Sequence, residues 1–286
     1  LDNIDQSNKT ACLTGDGKTV TLNLNNKNIT GGWIYVGIDQ DGKVINSSRL
    51  NITGSGSFDG MIGISAKGTL DLSGWDDGTI RTVSSSQNGS EESALIVGEN
   101  VGTINTLSFY SWPSDKISKT KLTGGTYGSI PISMNNGVTS ISFSDLLAPG
   151  YAFQYTDGSG FLPYDTKALY ENSTTTISNV KVVKCTSHED AKSVDADGNI
   201  TDGADNLCDY CNADLTAATV ATLTVDGSTY FYTDLPSAVA KANTTGGTIQ
   251  LRQDVTGLTE KLDINHSKGF AITLDLNSHT ISGTVK

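Results

Sequence analysis

The sequence has 286 residues, enough for one large or two smaller domains, with 31 acidic against 19 basic side chains and a net charge of −12. This acidic balance argues against nucleic acid and anionic membrane surfaces as partners, because both need a basic footprint. No apolar run approaches the roughly 18 residues of a membrane-spanning helix, so we expect no membrane insertion. The hydrophobic content of 36% fits a β structure rich in glycine, asparagine, serine and threonine.

One stretch of the sequence occurs twice. Residues 20–33 read VTLNLNNKNITGGW and residues 272–285 read ITLDLNSHTISGTV, at a constant offset of 252 residues. The identical pairs are Thr21/Thr273, Leu22/Leu274, Leu24/Leu276, Asn25/Asn277, Ile29/Ile281 and Gly31/Gly283. An internal repeat of this length predicts that the chain is slightly more than one unit of a longer tandem array.

A glycine corner recurs through the first 127 residues, each time after an apolar or β-branched pair. The corners are Gly31, Gly54, Gly74, Gly98 and Gly124, at spacings of 23, 20, 24 and 26 residues. Alternating segments lie between them and predict short strands with one inward face, and we expect glycine to supply positive φ at the corners. This period favours the coils of a parallel β-helix over residues 1–137. An antiparallel sandwich is the alternative.

The pattern breaks in residues 138–184. We expect a strand and then a short helix capped near Ser142 or Ser144 and stopped by Pro149-Gly150. A hairpin around Asp157-Gly158 and a β-branched strand over 173–184 follow. This small α/β connecting segment could cap the β-helix or separate two blocks of it.

Three of the four cysteines and one histidine form a metal-site pattern in residues 185–216. Cys185-x2-His188 and Cys208-x2-Cys211 are two pairs with the spacing of zinc knuckles. A two-residue gap lets both side chains of a pair reach one ion, so the four ligands predict a structural zinc site. The alternatives are a disulfide that does not involve His188, or free thiols, and Cys12 is expected to be a lone thiol.

Residues 217–286 predict a hairpin, a helix and further strands. The hairpin turns at Asp226-Gly227, and residues 233–243 form the helix, with Thr233 or Asp234 as the N-cap and Pro236 in its first turn. Gly246-Gly247 ends the helix, and strands begin at 248. We interpret this segment as the start of the next repeat.

Residues 232–283 carry a family resemblance. Asp234–Ala238 resembles a capping helix, 246–255 (GGTIQLRQDV) resembles a first strand, and 274–283 (LDLNSHTISG) resembles a coil of a right-handed, pectin-lyase-like β-helix. The Cys/His segment is similar to one found between β-helix blocks in large cell-wall proteins of gut Firmicutes. With the tandem layout, the chain resembles tandem-repeat surface proteins of the Ruminococcus gnavus type.

The resemblance implies a fold, a location and a partner. The fold is mainly β, with right-handed parallel β-helix blocks flanking the small α/β and Cys/His insertion. The location is extracellular, attached to the bacterial cell wall of a gut commensal. The sequence begins at Leu1 without a signal-like segment, so we expect an excised fragment. The partner is host immunoglobulin, bound through a variable-domain framework in the manner of a B-cell superantigen.

The residues also allow a search for catalytic groups, since β-helices often cleave polysaccharides. The best candidates are Asp76 and Asp77 beside Trp75, with Asp71 and Arg81 nearby. Adjacent strand residues point to opposite faces, so we interpret Asp76-Asp77 as an acidic turn and expect a chain that is not an enzyme. A polysaccharide lyase or hydrolase remains the less favoured alternative.

Aromatic side chains near the glycine corners are the candidate contacts for a partner. Inner coil positions are occupied by Ile, Leu and Val, so we expect tryptophan and tyrosine at corners and loops to be exposed anchors. The predicted partner-binding residues are Trp33, Tyr35, Trp75, Asp76, Asp77, Tyr110 and Trp112. Exposed rings also suit glycan grooves, so a glycan or host-surface adhesin is the alternative function. Several copies on one parent chain would make binding multivalent.

Overall fold

The structure is a computed structural model that forms two compact units, residues 1–184 and 185–286. It describes all residues except 1–2, 14–16, 39–46, 66, 89–90, 113–116, 118, 135–139, 170–173, 187, 191–192, 195–199, 203–206, 216–218, 260, 265–268 and 284–286. The chain is 58% strand and 7% helix, arranged as a β-solenoid with a Cys/His cluster, which confirms the predicted mainly-β fold class.

The first unit is built from strands. They are β1 (Ile4–Asp5), β2 (Thr10–Leu13), β3 (Thr19–Asn23), β4 (Lys27–Val36), β5 (Arg49–Thr53), β6 (Gly56–Ile64), β7 (Thr69–Gly74), β8 (Thr79–Asn88), β9 (Glu91–Glu92), β10 (Ala94–Val97), β11 (Thr103–Trp112), β12 (Thr120–Leu122), β13 (Thr126–Met134), β14 (Ser140–Ser142), β15 (Tyr151–Tyr155), β16 (Lys167–Leu169) and β17 (Thr174–Lys184).

Five successive coils each give one strand to each of two parallel sheets. The smaller sheet has the order β12-β10-β7-β5-β3, and the larger contains β4-β6-β8-β11-β13. Strand pairs within both series are parallel, so a residue lies beside its equivalent one coil further along the chain. This arrangement is a parallel β-solenoid, and the antiparallel sandwich is excluded for these coils.

The core of this unit is a column of aliphatic side chains between the sheets. In β7, Leu70 and Leu72 point inward and are fully buried, while Asp71 between them is only partly buried. Leu70 pairs with Leu50 and with Leu95 on the neighbouring coils, so like side chains stack along the solenoid. Each buried aliphatic side chain contributes roughly 1.5–3 kcal/mol, which explains why a single coil needs its neighbours.

The glycine corners have two different causes. At Gly54, φ is +69°, which favours glycine as predicted. At Gly124 φ is not positive; instead, a Cβ there would lie 2.4 Å from the carbonyl oxygen of Glu99 on the preceding coil. The expectation of positive φ at every corner is therefore wrong, because some corners need glycine for close stacking of backbones.

Residues 140–184 close the far end of these coils. β17 lies antiparallel to β13 and β15 lies antiparallel to β17, which ends the parallel ladder. The expected helix is a single 3-10 turn, Phe143–Leu146, and Phe143 and Leu146 are buried in the same core. The hairpin at Asp157-Gly158 is present, with Tyr155 N donating to Gly160 O at 2.9 Å.

The second unit joins a small sheet to one helix. Its strands are β18 (His188–Asp190), β19 (Ser193–Val194), β20 (Ile200–Asp202), β21 (Ala221–Val225), β22 (Ser228–Tyr232), β23 (Gly247–Leu251), β24 (Val255–Leu258), β25 (Ile272–Asp275) and β26 (Ile281–Gly283). The main sheet has the order β18-β22-β21-β23-β25, and β24 pairs with β26.

The helix α1 (Leu235–Thr245) begins and ends where its capping residues predict. Asp234 is the N-cap, its Oδ1 accepting from Ser237 N at 2.7 Å, and Gly246 follows the last turn with φ +75°. The predicted apolar stripe is buried against β21 and β23; its members are Leu235, Ala238, Val239 and Ala242. None of the helices in the described ranges is long and apolar enough to cross a membrane.

Candidate metal centre and exposed aromatic residues

The four predicted metal ligands come together in the second unit. The ligand atoms of Cys185, His188, Cys208 and Cys211 all lie within 4.8 Å of one another. Nδ1 of His188 is 3.5 Å from Sγ of both Cys185 and Cys211, and Sγ of Cys185 is 3.8 Å from Sγ of Cys208. The three cysteines are buried and the histidine is half-buried. One nitrogen and three sulfur atoms at these separations could hold one metal ion.

Two short elements position these ligands. His188 starts β18, where it pairs with Phe231 of β22. Cys208 and Cys211 lie on a tight turn in which Asn212 N donates to Cys208 O at 2.8 Å, and Asn212 has φ +55°. This turn brings the two sulfur atoms to the same side, which is what the two-residue gap predicts.

The close approach of the ligands shifts their proton affinities. Hydrogen bonds from Cys185 and Cys211 lower the pKa of Cys208, which favours its thiolate. Hydrogen bonds with Cys208 and Cys211 raise the pKa of His188 to about 9. Cysteine binds a metal as the thiolate and histidine as the neutral imidazole. An ion that binds the cluster therefore displaces the protons held by these side chains.

The disulfide alternative does not describe this geometry. None of the four cysteines forms a disulfide bond, and the 3.8 Å between Sγ of Cys185 and Cys208 is well beyond the roughly 2.05 Å of an S–S bond. Cys12 lies in β2 of the first unit, beside Tyr35, and belongs to no metal cluster of the described residues.

Trp33 and Tyr35 form an aromatic pair on β4, in which Trp33 is exposed and Tyr35 is partly exposed. Trp33 is 51% exposed, and its ring meets that of Tyr35 edge to face, with centroids 6.4 Å apart at 80°. Tyr35 pairs with Gly63 of β6, where a Cβ would lie 2.7 Å from Cδ1 of the tyrosine ring. The missing side chain at Gly63 therefore lets the Tyr35 ring lie against the neighbouring coil.

The aromatic pair begins two rows of side chains that sequence reasoning missed. The row from Trp33 passes through Met61, and the row from Tyr35 passes through Gly63. Across the larger sheet, the first row continues through Thr82, Thr106, Ser129 and Ser178, and the second continues through Ser84 and Ser108. We call these six hydroxyl residues the hydroxyl face. Ser178 is exposed, and the other five side chains are partly exposed. Unequal coil lengths hid their alignment in the sequence.

The other predicted contact residues have different positions. Trp75 is fully buried, and its Nε1 donates to Gly56 O at 2.9 Å, so the prediction of an exposed anchor there is wrong. Tyr110 is 47% exposed on β11. Trp112 ends the same strand, but its side chain lies outside the described residues.

The candidate catalytic carboxylates lie in two settings. Asp76 and Asp77 are exposed in the turn after Trp75, where Oδ1 of Asp77 accepts from Gly78 N at 2.7 Å. Asp71 instead pairs with Arg49 and accepts from Ser73 Oγ at 2.6 Å.

Arg81, the basic residue expected near these carboxylates, has another partner. Its Nε is 3.4 Å from Oδ1 of Asp59, and both side chains are exposed. Asp71 and Arg81 are thus each held in an ion pair of their own.

Comparison of the chain with protein-family models, with curated proteins and with solved structures found no match in any of the three. The fold and the Cys/His cluster therefore define the class to which the chain can be assigned: a β-solenoid protein with a candidate metal centre.

Proposed function

We propose that this chain is a non-catalytic binding module of a bacterial cell-surface protein and that it binds host immunoglobulin through a variable-domain framework. The partner and the cell-wall location come from the resemblance of the whole chain, through its Cys/His segment and its tandem layout, to surface proteins of the Ruminococcus gnavus type. The observation that carries a binding role is the aromatic pair on a wide sheet, with Trp33 exposed and Tyr35 partly exposed beside it.

This aromatic pair suits a protein interface for physical reasons. Tryptophan and tyrosine are enriched among the residues that supply most binding energy, since their large rings lose little conformational entropy on binding. Tyr35 rests against Gly63 and Trp33 rests against Tyr35, so both rings are held before a partner arrives. Preorganisation of this kind lowers the cost of association. A tandem parent chain would add avidity.

Antibody binding can be tested with a single truncation at this surface. Against polyclonal host immunoglobulin, Trp33→Ser should bind at least about tenfold more weakly, because loss of a central aromatic anchor costs on the order of 2 kcal/mol. Phe270→Ser removes another exposed ring, 39% exposed in the second unit, and should leave binding unchanged. Absence of immunoglobulin binding by the unaltered chain would exclude the proposal. An equal loss of affinity in both variants would show that Trp33 is not a specific contact for the antibody.

The alternative partner is a glycan, and the hydroxyl face favours it. A sugar ring could stack on Trp33 while its hydroxyl groups bond with the serine and threonine side chains beyond Met61. A glycan array separates the two functions, since an adhesin would retain sugars on the array and show no enrichment of any antibody class.

For the Cys/His cluster we propose structural zinc. Three cysteines and one histidine, all buried or half-buried, are the ligand types and number that zinc binds with tetrahedral geometry in structural sites. No chemistry is assigned to the cluster.

Metal analysis tests the zinc proposal directly. The purified chain should contain one equivalent of zinc, and Cys208→Ser should lower this several-fold because it removes a ligand thiolate. Cys12→Ser, at a cysteine outside the cluster, should retain the full equivalent. A different metal at one equivalent would change the ion but keep the site, and metal content well below one equivalent would exclude it.

A further inference from the structure

The two copies of the repeated stretch share a backbone that extends beyond their sequence identity. Asn25 has φ +49° and Asn277 has φ +46°. Each donates its backbone N–H, at 2.9 Å, to the side chain two residues earlier, Asn23 in the first unit and Asp275 in the second. The strands β3 and β25 are therefore the same structural element.

The preceding strands correspond as well, although the sequence repeat does not reach them. Oδ1 of Asn3 accepts from Asn28 N at 2.9 Å, and Oδ1 of Asp254 accepts from Thr280 N at 2.8 Å. Asn28 and Thr280 lie 252 residues apart, at the repeat offset. One residue after each acceptor, the chain enters a strand that pairs in parallel with the second half of the repeat, β1 with β4 and β24 with β26.

The two copies of the repeat have their neighbouring strand on opposite sides. In the described part of the chain, β3 pairs with β5 after it, whereas β25 pairs with β23 before it. The side chains follow this difference. Leu24 is 3% exposed and its counterpart Leu276 is 45% exposed, while Ile4 is 38% exposed and its counterpart Val255 is 7% exposed.

We propose that the open edge of β3 receives a parallel strand with the sequence of β23 from a second copy of this chain's sequence, so that consecutive copies join into one continuous solenoid. The register is that of β23 against β25, which places Ile249 of the second copy beside Leu22 and its Gln250 beside Asn23. The proposal rests on these pairings and is independent of any immunoglobulin or glycan partner.

The open edge of β3 offers the groups that this register requires. In the second unit, Nδ2 of Asn277 donates to Leu251 O at 3.1 Å, and Asn25 presents the same amide. Ile272 and Leu274 pack against the core beneath α1, and their counterparts Val20 and Leu22 have the same apolar character. Val20 is 42% exposed and pairs with buried Leu50, so it points toward the inner side of the coil at its open end.

The test uses the full chain, extended at its N-terminus by a second copy of residues 185–251. Leu251 of the added copy is then followed by Leu1, and Asn3 stands three residues beyond it, as Asp254 does in the second unit. Hydrogen exchange is measured at the peptide covering β3 in the unextended and extended chains. We expect exchange in β3 to slow roughly tenfold or more on extension, because an edge strand becomes an interior one.

Two variants of the extended chain provide a matched comparison. Val20→Lys places a charge on the inner side and should return β3 to the exchange rate of the unextended chain. Thr21→Lys places the same charge on the opposite face, beside Asn51, and should keep the slow rate. Protection of β8 and β11 in both variants reports that the coils remain folded. Unchanged exchange in β3 on extension, or equal protection in the two variants, would overturn the proposal.

Discussion

At the scale of single residues, Asp71 is the clearest case of a side chain whose charge supports the solenoid. Burial works to raise the pKa of Asp71, but hydrogen bonds from the side chain and backbone of Ser73 and the adjacent Arg49 guanidinium outweigh it and lower the pKa below its usual value. Arg49 lies one coil earlier, on β5, so this ion pair links two stacked coils. The carboxylate form is therefore the one that stabilises the fold.

This coupling predicts a pH-dependent effect of Asp71→Asn. Because the pKa is lower in the folded state, the stabilisation is present above the unfolded value near 3.8 and is lost as the pH falls through the folded value. At neutral pH the variant should lose about 1 kcal/mol of unfolding free energy, and at a pH low enough to protonate Asp71 in the folded chain it should match the unaltered chain. Denaturant unfolding at both pH values measures this.

The ion pair between Arg81 and Asp59 gives the control for that measurement. Both of its side chains are more than half exposed, at 54% and 63%. Exposed pairs contribute little, so Asp59→Asn should change stability by less than about 0.5 kcal/mol at either pH. An equal loss in the two variants would show that the setting of Asp71 between the coils has no special role.

At the scale of elements, regular spacing made the strands predictable and the corners less so. The alternation in Leu70-Asp71-Leu72 and the cap at Asp234 are local signals, and both β7 and α1 formed where those signals placed them. Trp75 follows a corner, where alternation restarts, and it turns inward to bond with Gly56 on the preceding coil. Such a contact depends on the inter-coil register, which unequal coil lengths conceal.

The candidate sites show the same division between local and long-range information. The knuckle spacing of Cys208 and Cys211 is local, so the cluster could be predicted from four residues. The hydroxyl face is assembled from paired positions 23 to 49 residues apart, such as Thr106 with Ser129 and Ser129 with Ser178. Within any one strand, these residues look like ordinary outward positions of a half-buried sheet.

At the scale of the whole molecule, the two units have separate cores, and within the described residues the Cys/His cluster lies in the second unit. The first core is built from the coils and the second from α1 with β21, β23 and β25. Cys185, His188, Cys208 and Cys211 all belong to the second unit. A metal that binds the folded cluster stabilises only the unit whose folding creates the site.

The zinc proposal therefore predicts that metal removal destabilises the second unit alone. The three tryptophans, Trp33, Trp75 and Trp112, all lie within residues 1–184, so tryptophan fluorescence follows the first unit and calorimetry follows both. Chelation should lower the temperature of one calorimetric transition by ten degrees or more, on the order expected for loss of several kcal/mol from a small domain, and should leave the fluorescence midpoint unchanged. Replacing Cys211 by serine should reproduce the shift without a chelator. A fluorescence midpoint that falls together with the calorimetric transition would show that the two units unfold as one.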